Sequence, residues 1–149
     1  MFRGEELMAI PREKLDRGVF KHVESLLAHF WDYKAEVEKI REEIIQATPS
    51  RDNIGGGRGN LPGDPVGKMV VALAEERRLK YLAQAVDAIS AVYSNLPEAK
   101  KELVRLRYWD KPQRYTWEGI ALEIKISRRQ ALRWRNEIIY QIARRLGWM

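Results

Sequence analysis

Tyr115-Thr116-Trp117-Glu118-Gly119-Ile120-Ala121-Leu122-Glu123-Ile124-Lys125-Ile126 runs directly into Ser127-Arg128-Arg129-Gln130-Ala131-Leu132-Arg133-Trp134-Arg135-Asn136. The first half reads as a short apolar helix, started by Thr116 and buried through Ile120, Ala121 and Ile124. The second half reads as a Ser-capped, arginine-rich helix, with Lys125-Ile126 as the tight turn between them and Ile126 as its core plug. A helix-turn-helix needs a small residue where its helices cross, which Ala121 supplies, and a second helix with one apolar and one polar stripe. Ser127 and Gln130 match the S-x-x-E/Q capping box, in which the serine side chain satisfies an orphan amide of the first turn. At about 100° per residue, Ala131, Trp134, Ile138, Ile142 and Leu146 fall on the inner half of this helix. Arg129, Arg133, Asn136, Tyr140 and Arg144 fall on the outer half. Lys125 stands where such a turn favours a positive φ and usually glycine, so a side chain there costs on the order of 1 kcal/mol.

This pattern predicts groove recognition. The first two turns of the second helix are the part that reaches base edges. Arginine pairs bidentately with guanine, and asparagine or glutamine with adenine. The expected base-reading set is therefore Arg129, Gln130, Arg133 and Asn136, with Gln130 shared between a base contact and its cap. Arg114, Lys125, Ser127 and Arg128 suit phosphates, which fix register without reading sequence. Trp134 is read as core rather than as a stacking platform, and Trp109, Trp117 and Trp148 as structural.

The charge distribution agrees. Residues 97–149 carry thirteen Lys+Arg against six Asp+Glu, a net +7, whereas residues 1–48 are net −2 and 49–96 net +1. A basic excess confined to one third of the chain is the electrostatic footprint of a nucleic-acid surface. Cysteine is absent, which removes disulfides, thiol nucleophiles and Cys-ligated zinc. His22 and His29 lie one heptad apart with no further ligand near in sequence, so no metal is expected. Carboxylates sit beside Lys and Arg on helix surfaces, without a Ser/His/Asp set, and the chain reads as non-enzymatic, with no catalytic residue and no cofactor. No apolar run approaches a membrane span, and Glu5 and Glu6 precede any apolar run, unlike a secretory signal. The expected location is cytoplasmic.

The rest of the chain also reads as helix, giving an all-α fold. Pro11 suits a first helical position. Val23, Leu26, Phe30, Tyr33, Val37, Ile40 and Ile44 then recur at alternating spacings of three and four as a heptad seam. A helix of about 36 residues to Ala47 would be about 54 Å long; a bend near Phe30-Trp31-Asp32 is the alternative. Residues 48–64 read as a flexible Gly-rich linker, because their glycines miss both phosphate-binding spacings. Asp64 as N-cap and Pro65 at the first position start a second long helix, running to about Asn95 with Leu82, Ala85, Ile89, Val92 and Leu96 inward. The two long helices fit an antiparallel hairpin within the chain or pairing between chains. Seams of this length favour a homo-oligomer, a dimer first. From Pro97 to about Tyr108 a further helix turns Leu103, Val104 and Leu106 inward. The expected organisation is 1–95 as scaffold or oligomerisation part and 96–149 as DNA-binding domain.

Over residues 96–147 the sequence resembles the RinA/ArpU group of phage late-gene transcriptional regulators. The likeness is carried by Leu106-Arg107-Tyr108-Trp109, Thr116-Trp117-Glu118, Ile120-Ala121, the run Ile126–Ile139 and the closing Leu146-Gly147. The same unit is similar to region 4 of bacterial sigma factors. The resemblance implies an activator in a phage or prophage that binds double-stranded promoter DNA near a late or packaging operon and contacts bacterial RNA polymerase. A small-terminase-like DNA-packaging protein, which also joins a helix-turn-helix to oligomerising helices, is the alternative.

Overall fold

Asp16 opens the first helix: its carboxylate accepts from the Gly18 amide at 3.0 Å, satisfying one of the donors that a helix start leaves unpaired. The computed structural model describes residues 15–47, 65–111 and 115–149. Pro11, the 48–64 linker and the Asp64 cap lie outside them. Regular structure among the described residues is helical throughout, with no strand. The elements are α1 (Arg17–Ala28), α2 (Phe30–Ala47), α3 (Pro65–Ser94), α4 (Glu98–Val104) continuing into a π-helical turn (Arg105–Trp109), α5 (Trp117–Ile124) and α6 (Arg128–Leu146). None of the described helices is long and apolar enough to cross a membrane.

The continuous heptad seam does not produce a continuous helix. His29 leaves the helical region at φ −104° and ψ 18° and ends α1. Its amide and its ring Nδ1 both meet the Ser25 carbonyl, at 3.0 and 2.9 Å. The single long helix expected up to Ala47 is therefore broken at His29, just ahead of the bend read at Phe30-Trp31-Asp32.

The break divides the seam between two compact units. One joins α1 and Phe30 to the chain from Asp87 onward; the other spans Trp31–Val86. The sequence had suggested a division at residue 95/96, with α1 on the scaffold side.

In the Trp31–Val86 unit, α2 and α3 run antiparallel. Val37, Ile40 and Leu82 form a buried cluster, with Tyr33, Leu79, Ala83 and Val86 packed against it. The Arg78 guanidinium lies 2.6 Å from the Glu36 carboxylate beside them. Farther along, Glu43 and Ile44 line a shallow groove with Met69, Leu73 and Glu76. Ile44, the last seam residue, is 40% exposed, so the apolar contact of α2 fades toward its end.

In the other unit the core gathers Val23, Leu26, Leu27 and Phe30 of α1 with Leu103, Val104 and Leu106, Ile120 and Ala121, and Ala131, Ile138, Ile139, Ile142 and Ala143. Ile89 and Val92 from the end of α3 are buried as well. The buried side chains among the described residues are apolar, none polar or charged. The π-helical turn closes with the Asp110 amide on the Arg105 carbonyl at 2.7 Å. It sends consecutive aromatic residues to different partners. The Tyr108 hydroxyl donates to Glu24 at 2.7 Å, and the Trp109 indole N–H donates to the Leu27 carbonyl at 2.9 Å. Trp109 also stacks on Phe30 and packs on Tyr93, with centroids 5.2 and 4.7 Å away.

Candidate nucleic-acid interface

The turn between α5 and α6 is built from backbone requirements. Thr116 starts α5, its hydroxyl accepting from the Gly119 amide at 3.1 Å. At the other end the chain must reverse within three residues, and Lys125 does so in the left-handed region at φ 64° and ψ 45°. It is the sole non-glycine residue with positive φ among those described. The Lys125 amide then donates to the Leu122 carbonyl at 3.2 Å and the Ile126 amide to the Ala121 carbonyl at 2.9 Å. Together they close the 6→1 type of helix end that glycine ordinarily supports. The expected conformation at Lys125 is present, with the side chain the position disfavours. Ile126 is half-buried behind it.

Ser127 sits in extended conformation, and its hydroxyl accepts from the Gln130 amide at 3.0 Å, which starts α6. No return bond from the Gln130 side chain to Ser127 occurs among the described residues, so the capping box is half formed and the Gln130 carboxamide is not used by the cap. The buried methyls of Ala121 and Ala131 allow α5 and α6 to approach closely. At the far end Gly147 takes φ 80°, and the Trp148 amide reaches back to the Ala143 carbonyl at 3.0 Å.

The four arginines in the first half of α6 divide into two groups. Arg129 and Arg133 lie one turn apart on the exposed face, with no hydrogen-bond or ion-pair partner among the described residues. Arg128 is exposed but tied across the turn to Glu118, Nε to Oε2 at 2.9 Å. Arg135 turns inward. Its guanidinium lies 5.1 Å from the Phe20 ring centroid, 5.3 Å from that of Trp117 and 3.9 Å from the Glu24 carboxylate. Its Nε also donates to the Asn136 carboxamide oxygen at 2.9 Å.

Of the expected base-reading set, the structure places Arg129, Arg133 and Asn136 on one exposed face, with Gln130 half-buried beside them. Asn136 has its oxygen engaged by Arg135, leaving its amide N–H groups. Of the phosphate set, Lys125, Ser127 and Arg128 are exposed around the turn, while Arg114 lies outside the described residues. On the inner stripe, Ala131, Ile138 and Ile142 are buried as expected, and Leu146 only partly. Ile139 and Ala143 complete the buried stripe and were not on the expected inner set. Trp134 is half-buried, with the Lys100 ammonium 5.4 Å from its ring centroid and bonded to Glu137 at 3.2 Å.

Sequence reasoning missed Arg107 and Arg135. Arg107 lies 4.8 Å from the centroid of Trp117, so both arginines rest on one indole. Cation–aromatic attraction and the burial of their methylene stems hold α1, the π-helical turn, α5 and α6 in register. The available signal was the Phe20/Glu24 pair, one turn apart on α1 and matched to an arginine body and charge. Glu24 also receives the Tyr108 hydroxyl, whose ionisation is pushed strongly upward by burial and then by the bond to that carboxylate. Among the described residues no group of three or more His, Cys, Asp or Glu is placed to hold a metal ion.

The family model of DUF722, a protein family of unknown function, matches residues 24–144. The chain belongs to DUF722. That match begins within α1 and ends within α6, so the DUF722 pattern takes in both compact units as well as the α5–α6 turn. No curated protein and no solved structure matches the chain.

Proposed function

We propose that this DUF722 protein is a sequence-specific double-stranded DNA-binding transcriptional regulator that reads its site with the start of α6. The observation that carries this reading is the division of the four arginines in the first half of α6. Arg128 and Arg135 are engaged by Glu118 and by Trp117, Phe20 and Glu24, whereas Arg129 and Arg133 point out beside Asn136 without a protein partner among the described residues. Two forked donors one turn apart on a helix anchored by a buried apolar stripe suit the guanine edges of a major groove. Lys125 and the Arg128/Glu118 pair flank them, where phosphates fix register. An exposed ion pair is worth little, so Arg128 exchanges Glu118 for a phosphate at small cost.

The resemblance to RinA/ArpU regulators and to sigma region 4 supports the narrower reading. The protein then acts in the cytoplasm of a bacterial host as a late-operon activator of a phage or prophage, with RNA polymerase as the partner it recruits. The test is selection of bound duplexes from a random pool by the full chain, followed by footprinting. Enrichment of one motif with a discrete footprint is expected. Uniform retention of all duplexes would reduce the protein to a general DNA binder, and no retention at low salt would overturn the reading.

A further inference from the structure

Helix α6 runs unbroken from Arg128 to Leu146, well past the turns proposed to read bases. At about 100° per residue, Tyr140 and Arg144 stay within an arc of about 80° that also holds Arg129, Arg133 and Asn136. Tyr140 is half-buried and Arg144 exposed, and Arg144 has no hydrogen-bond or ion-pair partner among the described residues. Arg145 follows it in the last turn, also exposed, but about 100° farther round the helix. Buried Ile139 and Ala143 anchor this half of α6 to the core, so the packing that aims Arg133 outward also aims Arg144. Glu137 is the single carboxylate of α6, and the Lys100 ammonium holds it at 3.2 Å. The arc therefore keeps its positive charge to the end of the helix.

We infer that Arg144 is a phosphate contact, the far anchor that fixes the direction of α6 in the major groove; the inference rests on the proposed reading of DNA by the start of this helix. From Arg129 to Asn136 the helix rises about 10 Å, close to the groove width of about 12 Å. Arg144 lies about 12 Å beyond Asn136, at the phosphate wall of the groove and away from the base edges that Arg129 and Arg133 meet. Backbone contacts at Lys125 and Arg128 alone leave the helix free to pivot about its start. A second contact about 24 Å along the axis from Arg128 removes that freedom, and phosphate contacts are what set orientation on a duplex. A guanidinium suits the place, because its fork pairs bidentately with phosphate oxygens. In homeodomains, too, the C-terminal end of the groove-reading helix contacts the backbone. An arginine in the last turn also complements the helix dipole. Arg144 and Arg145 share that role, whereas the phosphate contact belongs to Arg144 alone.

Arg144→Gln and Arg145→Gln each remove one charge from the last turn while keeping a good helix former. Equilibrium binding of the full chain to the selected duplex and to a scrambled duplex, measured across a salt series, separates them. Arg144→Gln is expected to weaken both duplexes by the same factor, roughly three- to tenfold, and to lower the slope of log K against log salt by about one. Arg145→Gln should leave affinity and slope near those of the unaltered chain, and the two variants should melt at the same temperature. Equal effects of the two variants on binding, an unchanged salt slope in Arg144→Gln, or a loss confined to the selected duplex would each overturn the assignment. A selective loss in Arg133→Ala alongside any of these would leave base reading by the start of α6 intact, whereas absence of binding by the unaltered chain would remove both.

Discussion

The Tyr108 hydroxyl donates to the Glu24 carboxylate at 2.7 Å, and the same carboxylate lies 3.9 Å from the Arg135 guanidinium. One acidic residue of α1 thus ties the π-helical turn to the helix proposed to read DNA.

Tyr108→Phe removes a hydrogen bond to a charged acceptor and should destabilise the fold by about 1–2 kcal/mol, measured by urea denaturation. The bond also carries a pH signature. Tyr108 holds its proton well above the ordinary value of 10.0, so its contribution is fully present below that value. As pH rises past it, the unfolded tyrosine ionises while the folded one does not, and stability falls by up to about 1.4 kcal/mol per pH unit from this group. Comparison of the two proteins between pH 8 and 11 should show a shallower alkaline loss for Tyr108→Phe. Equal slopes would remove Tyr108 as the source.

Lys125 offers a separation of backbone from charge. Lys125→Gly relieves a side chain held at φ 64° and should stabilise the protein by about 0.5–1 kcal/mol; Lys125→Ala should not. Both variants should lower the salt dependence of DNA binding by about one phosphate contact. A stability gain from Lys125→Ala would contradict the strain, and an unchanged salt slope in both variants would remove Lys125 from the phosphate set.

Arg135→Ala should cost about 1–2 kcal/mol of stability through lost packing on Phe20 and Trp117. Arg135→Lys should recover little, because an ammonium lacks the flat guanidinium face. Thermal melts of the two variants check this: full rescue by lysine would mean that charge alone matters at the site.

What was legible in the sequence was what depends on residues close together in it. Thr116 and Ser127 each cap a helix by bonding an amide three residues on, and the Lys125 turn closes over a single helical turn, so local spelling is enough to place them. The all-helical class follows from apolar spacing, which nearly every buried position of α3 obeys. The break at His29 was legible only as the alternative bend at Phe30-Trp31-Asp32, because the heptad seam continues through it; tertiary packing assigns Val23, Leu26 and Phe30 to one core and Val37 and Ile40 to another. The inward turn of Arg135 could be read from the helical wheel, where it falls between Ile142 and Leu146 on the inner half. Its partners could not, because Phe20, Glu24 and Trp117 come from elements far away in the chain.

The central claim is that Arg133 reads a base while Arg135 holds the fold. Equilibrium binding of the full chain and of Arg133→Ala to the selected duplex and to a scrambled duplex tests it most directly. The expected result is a loss of about 1–3 kcal/mol on the selected duplex, near-unchanged affinity for the scrambled one, and an unaltered thermal melt. An equal loss on both duplexes would make Arg133 a phosphate contact and contradict the assignment of base reading to this face of α6.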